Sequence, residues 1–393
     1  MTQRQLKAAY FAITALNTFA SSYFLNYLFF FLRDRFNFDN RQNLWVSALY
    51  GFIYTFSAWQ CGKFAQFRGF LTSLKVGFAG LAVLMVAGGL LNSAAGIVVV
   101  VVGYAIVLLF TWPALEALVS ENETQAGVQH MVGIYNCTWA GASALAYFTG
   151  GTLYDWLGRG AVFWLPAAIF VCEFILVFWL SRQAARSVAP ESKPIRPPPH
   201  PEAAAFRQAV SPQRFLKMAW VANPFAYVAI YALIAVMPGL AAKFDLSPTQ
   251  VGLFYSVWQF GRVCAFAVLW QWTGWHYRFG GLFASFVVLI ASFAALLLAP
   301  ELWVVVVAQA FFGIATGLIY YSSLFYSMDV GETKGEHGGL HEAAIGIGTF
   351  AGPAVGAASL QFLPRHSSSG VYAVTTLLVC GLVALLWLRV KKE

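Results

Sequence analysis

RQAARSVAPESKPIRPPPHPEAAAFRQAVSPQRFLK, residues 182–217, is a long polar stretch in a chain built otherwise of apolar runs. It carries Arg182, Arg186, Lys193, Arg196, Arg207, Arg214 and Lys217 against only Glu191 and Glu202, and includes the run Pro197, Pro198, Pro199. Such a segment cannot bury enough apolar surface to offset the entropy of ordering, so it reads as a semi-extended linker. About 180 residues lie on each side of it. The two flanks are therefore read as two domains, 1–181 and 215–393, joined by a linker over 182–214.

The flanks are not water-soluble sequence. Apolar residues make up 60% of the 393-residue chain and charged residues 10%, against about 25% charged in soluble domains. The mean hydropathy is +0.67. Each apolar run is about 20 residues long, the length a helix needs to cross a bilayer. Twelve such runs are predicted. Six lie before the linker (8–32, 44–64, 70–92, 96–119, 128–154 and 161–180). Six lie after it (215–240, 249–273, 281–299, 302–328, 340–363 and 370–388). The fold class is an all-α polytopic membrane protein. The first apolar run extends to Leu32, past the length of a signal-peptide core, so it is expected to stay as a helix.

Basic residues set the expected orientation. With the N-terminus in the cytoplasm, 17 of the 24 Lys and Arg residues fall in inside loops and 6 in outside loops, with Arg262 inside a span. Both termini and the linker are thus expected in the cytoplasm, in the plasma (inner) membrane. The net charge of +8 follows from these loops, and no nucleic-acid partner is expected. The five cysteines stand singly and read as small buried hydrophobes. No Gly-x4-Gly-Lys-Ser/Thr loop occurs, so ATP hydrolysis by this chain is not expected.

The halves echo each other. Trp59-Gln60-Cys61-Gly62 leads to Arg68-Gly69 after the second run, and Trp270-Gln271-Trp272-Thr273-Gly274 leads to Arg278 after the eighth. Internal repeats of this kind build many secondary transporters. In this layout the chain resembles the major facilitator superfamily. The superfamily's loop after span two survives in Gly62, Lys63, Arg68 and Gly69, with Gln66 where an acid is usual. The loop after span five survives in Gly151-Thr152-Leu153-Tyr154-Asp155-Trp156-Leu157-Gly158-Arg159. The resemblance implies two six-helix bundles and a secondary active transporter with no cofactor. It also implies a central cavity lined by spans one, four, seven and ten. Span four lacks the arginine that proton-linked antiporters of that family often carry.

Those four spans offer uncharged polar and aromatic side chains at helical spacing. Tyr23, Asn26, Tyr27 and Phe30 share one side of span one, with Asn17 nearer its start. Tyr104 and Thr111 lie in span four, Asn223, Tyr227 and Tyr231 in span seven, and Gln309, Thr316, Tyr320 and Ser323 in span ten. Such a set suits a small neutral or amphipathic organic solute; hydrogen bonding between helices is the competing reading.

Ionisable residues at membrane depth need a reason. Arg262 in span eight is a candidate to bind an anionic group, or else a structural clamp. Glu173 in span six reads as a structural or protonated acid more than a proton carrier. Glu116 in span four reads as a coupling carboxylate or, slightly favoured, an interfacial partner of Lys63 or Arg68. Glu336-His337-Gly338-Gly339-Leu340-His341-Glu342 reads first as a solvated loop, with His341 and Glu342 as gate candidates, and not as a metal site. The expected function is a secondary active transporter of a small neutral or amphipathic organic solute by alternating access, with H+ as the candidate coupling ion, acting as a monomer. A membrane sensor, a lipid scramblase and a membrane-embedded enzyme are the alternatives.

Overall fold

The computed structural model describes residues 2–121, 123, 125–184, 211–330 and 334–391. Residues 185–210 of the predicted linker lie outside them. The described residues contain helices and no strands, and the helices fall into the twelve predicted runs. Nine are long and apolar enough to cross a membrane. The other three are span one (Gln3–Phe36), span two (Asn40–Arg68) and span five (Gln125–Leu157). Charged ends and inward polar side chains lower their mean hydropathy.

Local chemistry starts and breaks these helices. Thr2 with Gln5, Asp39 with Gln42, and Ser247 with Gln250 form reciprocal capping boxes at the starts of spans one, two and eight, satisfying backbone N–H groups that a helix leaves unpaired. Span four (Ala94–Ser120) is broken by a 3-10 turn at Leu108–Phe110, after which Trp112–Ser120 resumes as α-helix. Pro113 explains the break, because it has no N–H to bond the carbonyl of Leu109. Span eight is likewise two helices, Pro248–Tyr255 and Val257–Gln271, meeting at Ser256.

Packing sorts the spans into inner and outer. In span seven (Pro212–Lys243) 72% of the apolar window is buried, and in span twelve (Ser369–Val390) only 22%. Large exposed apolar side chains such as Phe56, Val83, Val99, Trp303 and Val383 then face lipid rather than water. Span seven starts at Pro212, so the last residues of the predicted linker are already helical.

The two halves meet along two glycine seams. A Cβ on Gly51 of span two would stand 2.3 Å from the backbone nitrogen of Phe350 in span eleven (Lys334–Phe362), and one on Gly346 would stand 2.6 Å from Thr55 Oγ1. A Cβ on Gly151 of span five would stand 1.8 Å from the Pro248 carbonyl of span eight, and one on Gly252 would stand 2.8 Å from the Phe148 carbonyl. Only glycine allows backbones this close. At the second seam Asp155 accepts hydrogen bonds from the Thr249 backbone N–H (3.0 Å) and hydroxyl (2.6 Å), so a carboxylate of one half caps a helix of the other.

Candidate functional site

Between the halves lies a cavity of about 870 Å³ of empty space, its opening included. Its walls are aromatic and come in cross-half pairs. Tyr50 of span two stacks on Tyr231 of span seven (5.8 Å, 15°), and Tyr147 of span five meets Trp258 of span eight edge-on (5.6 Å). Trp139 of span five meets Tyr320 of span ten (Leu302–Val330) edge-on at 5.3 Å. One basic and two acidic side chains line the same space: Arg262, Glu116 and Glu342.

Arg262 is held by a third glycine seam. Cβ atoms on Gly313 and Gly261 would stand 1.9 Å and 2.8 Å from carbonyls of the facing helix, so spans eight and ten nearly touch. The Arg262 side chain, 4% exposed, therefore emerges beside span ten and turns toward span five. Its guanidinium carbon lies 4.6 Å from the centre of the Trp139 ring, 5.1 Å from Tyr320, 5.5 Å from Phe266 and 5.9 Å from Tyr227. Aromatic faces attract a desolvated cation, each contact contributing about 0.5–2 kcal/mol. One Nη donates to the Tyr227 hydroxyl at 3.5 Å, while Nε has no protein partner. Among the described residues it forms no ion pair. The Trp258 indole N–H and Gln259 Oε1 beside it are also unpartnered.

Two carboxylates of the same cavity come from opposite halves. Tyr54 of span two donates its hydroxyl proton to the buried Glu342 of span eleven. Glu116 of span four, aimed inward by the helix that Pro113 begins, interacts electrostatically with Glu342. This corrects the interfacial reading of Glu116. Lys63 instead sits 3.5 Å over the Trp59 ring, and Arg68 is exposed at its helix end. The solvated-loop reading of the span-eleven approach is also corrected at its described end. The helix runs unbroken from Lys334 through the glycine pair, and His341, 3% exposed, sits 3.3 Å from Ser323 Oγ with its ring 5.4 Å from Tyr320. The side chain of His337 lies outside the described residues.

Of the solute-contact candidates read from sequence, Tyr227, Tyr231, Arg262 and Tyr320 line the cavity, and Glu116 and Glu342 join them. The others are buried elsewhere. The rings of Tyr23 and Tyr27 meet at a tilt, 5.2 Å apart, and the Tyr27 hydroxyl donates to the Tyr147 carbonyl. Tyr104 packs on Phe24 at 4.6 Å, and Thr111 accepts from Asn17 at 3.1 Å. Asn26, Asn223, Gln309 and Thr316 are at most 1% exposed, the last bonding the Phe312 carbonyl. Glu173 is buried outside the cavity lining, with neither oxygen partnered.

The lining also includes residues that the sequence reading passed over: Tyr50, Tyr54, Trp112, Tyr135, Trp139 and Tyr147, with Trp258 and Gln259. Most belong to spans two, five and eight. A signal was present, since Tyr135, Trp139, Ser143 and Tyr147 repeat every four residues on one side of span five. A second space, about 670 Å³ between spans two, seven, nine (Phe279–Leu298), eleven and twelve, is mostly apolar.

An aromatic cavity enclosed between two six-helix halves, with a guanidinium and two carboxyl groups in its lining, defines a membrane transporter of the two-bundle class. The sequence matches the Major Facilitator Superfamily over residues 10–239, and the chain belongs to that family. The fold is similar throughout to three solved transporters. They are the human organic anion transporter MFSD10 (TETRAN), with TM-score 0.69, 13% identity, 99% of this chain and 100% of that one; the nucleoside transporter NupG, with 0.69, 12%, 98% and 100%; and a bacterial homologue of the human lysosomal transporter Spinster, inward-facing and unoccupied, with 0.67, 14%, 98% and 95%. No curated protein matches the sequence. The protein is a secondary transporter and an integral, multi-pass membrane protein.

Proposed function

We propose that this chain moves a small amphipathic organic solute carrying an acidic group, by alternating access of its two halves around the central cavity. The observation that carries the reading is Arg262: a buried guanidinium with no carboxylate partner, facing a cavity walled by aromatic rings. A planar guanidinium binds carboxylate or phosphate through paired hydrogen bonds. The rings offer stacking surface to the rest of the solute. MFSD10 is an organic anion transporter by its description, which agrees with this reading at the level of fold.

Proton coupling fits the pair Glu116 and Glu342. Two carboxylates from different halves share one low-dielectric space, where like charges repel unless a proton or cation accompanies them. A proton taken up by Glu342 and Glu116 would remove that repulsion and weaken the Tyr54 hydrogen bond that ties the halves together. The Lys/Arg distribution supports cytoplasmic termini and linker, with residues 1–181 and 215–393 as the moving bodies.

Uptake into proteoliposomes tests this. With ring-bearing organic acids as the panel, at least one acid should accumulate, and an imposed proton gradient should increase the accumulation. A panel that fails to move while labelled lipid crosses the bilayer would make the protein a scramblase.

A further inference from the structure

Arg262 does not face the cavity alone. Span eight divides at Ser256, and the helix Val257–Gln271 that follows carries Trp258, Gln259 and Arg262 in its first two turns. All three line the cavity. Arg262 lies four residues from Trp258 and three from Gln259, spacings that make helical side chains neighbours. They are 4%, 1% and 4% exposed, yet each keeps one polar atom without a protein partner: Arg262 Nε, the Trp258 indole N–H and Gln259 Oε1. Buried polar atoms are nearly always paired, because an unpaired one keeps its full desolvation cost. Three on one cavity wall point to a ligand.

Packing fixes these side chains without using the three atoms. Trp258 meets the rings of Tyr147 and Phe312 edge-on, at 5.6 Å and 5.7 Å. The guanidinium is held among four rings, 4.6 Å from the nearest centre and 5.9 Å from the farthest. No hydroxyl of the cavity wall reaches Gln259 Oε1. The atoms also differ in what they need: an indole N–H and a guanidinium N–H only donate, and an amide oxygen only accepts. The guanidinium nearby favours the oxygen, the negative end of the amide dipole, on its side.

We infer that the cognate solute is a ring-bearing hydroxy acid: Arg262 and Trp258 donate to its acid group, and Gln259 accepts from a hydroxyl on the adjacent carbon. This rests on the acid-binding role of Arg262 and adds what selects among acids. The two oxygens of a carboxylate can take both donors, but they offer Gln259 only another lone pair. A solute that displaces water from polar atoms must replace the water's hydrogen bonds or lose affinity. The amide oxygen therefore requires an O–H or N–H beside the acid group. A charged amine there would stand next to the guanidinium, and like charges repel, whereas a hydroxyl is neutral. A site built to pair a hydroxyl rejects the analogue that lacks it, because the protein's own polar atom is then left buried and unpaired.

The test is ligand-induced thermal stabilisation of the purified full-length protein in detergent, at fixed pH, with two pairs of acids that differ by one hydroxyl. The pairs are mandelate with phenylacetate and phenyllactate with hydrocinnamate. Titrating each acid gives an apparent Kd from the rise in Tm. In wild type the hydroxy acid of each pair should bind about tenfold more tightly than its partner. Gln259→Leu, similar in size and apolar, should bring the two to within about twofold of each other. Trp258→Phe, which keeps a ring and removes the N–H, should weaken both members of a pair. Should neither variant fold, the wild-type ratios decide alone. Equal affinities within both pairs in wild type would overturn the inference and leave the acid-binding role of Arg262 standing. So would a hydroxy-acid preference that survives in Gln259→Leu, or affinities that Trp258→Phe does not move. If no acid of either pair stabilises the protein, the acid-binding role of Arg262 fails and the hydroxy-acid assignment fails with it.

Discussion

Arg262 holds its position through ring faces rather than through an acid, and that separates its two roles experimentally. A structural clamp would need a carboxylate or several carbonyls; here the guanidinium has four rings around it and one hydroxyl at 3.5 Å. Arg262→Lys keeps the charge but loses the planar fork and most of the stacking. Uptake of the cognate acid should then show KM raised about tenfold, in line with the ~1–2 kcal/mol of one charge-assisted contact, with Tm within a few degrees of wild type. Unchanged KM with a lowered Tm would make Arg262 structural. Arg262 was legible because a lone arginine in an apolar run stands out. Tyr50, Tyr54 and Trp258 were not, because a buried aromatic in a membrane helix looks the same whether it faces a neighbour or a cavity. The cross-half stacks that distinguish them are long-range facts.

At the scale of the element, the twelve runs were readable because span length and hydropathy are set by the bilayer. Their breaks were less so. Pro113 marks the interruption of span four in the sequence, but Ser256, where span eight divides, carries no such residue. The glycines of the seams now separate into two mechanical kinds. Gly313 presses span ten against span eight within one half, where a Cβ would stand 1.9 Å from a carbonyl. Gly313→Ala should therefore lower stability by about 1–3 kcal/mol, the range for overpacking, read as a loss of several degrees in Tm. Gly151 presses against Pro248 across the halves. Gly151→Ala can be relieved by parting the halves at that end. It should cost less stability while making cysteines placed along the cavity wall more reactive to a water-soluble thiol reagent. Equal destabilisation by the two substitutions, with unchanged reactivity, would mean that the halves do not part there.

For the whole molecule, the two-bundle layout was legible in the linker, the charge distribution and the repeated Trp-Gln loops. The cavity's position follows from how the bundles face each other, and assigning its walls to spans one, four, seven and ten alone left out half of it. Spans two, five, eight and eleven reach the cavity because their glycine seams draw them inward at both flanks. The halves are held at the ends of these spans by Asp155 with Thr249 and by the Trp45 indole N–H donating to Gln361 at 3.2 Å. If transport proceeds by rocking, these contacts must break and reform once per cycle. The most direct measurement is the distance distribution between spin labels at Trp45→Cys and Gln361→Cys, with the native cysteines replaced, recorded with and without the cognate organic acid. The account predicts two populations, one short and one at least several ångströms longer, whose ratio shifts on adding the acid and does not shift in an Arg262→Ala background. A single distribution unmoved by saturating acid would contradict it.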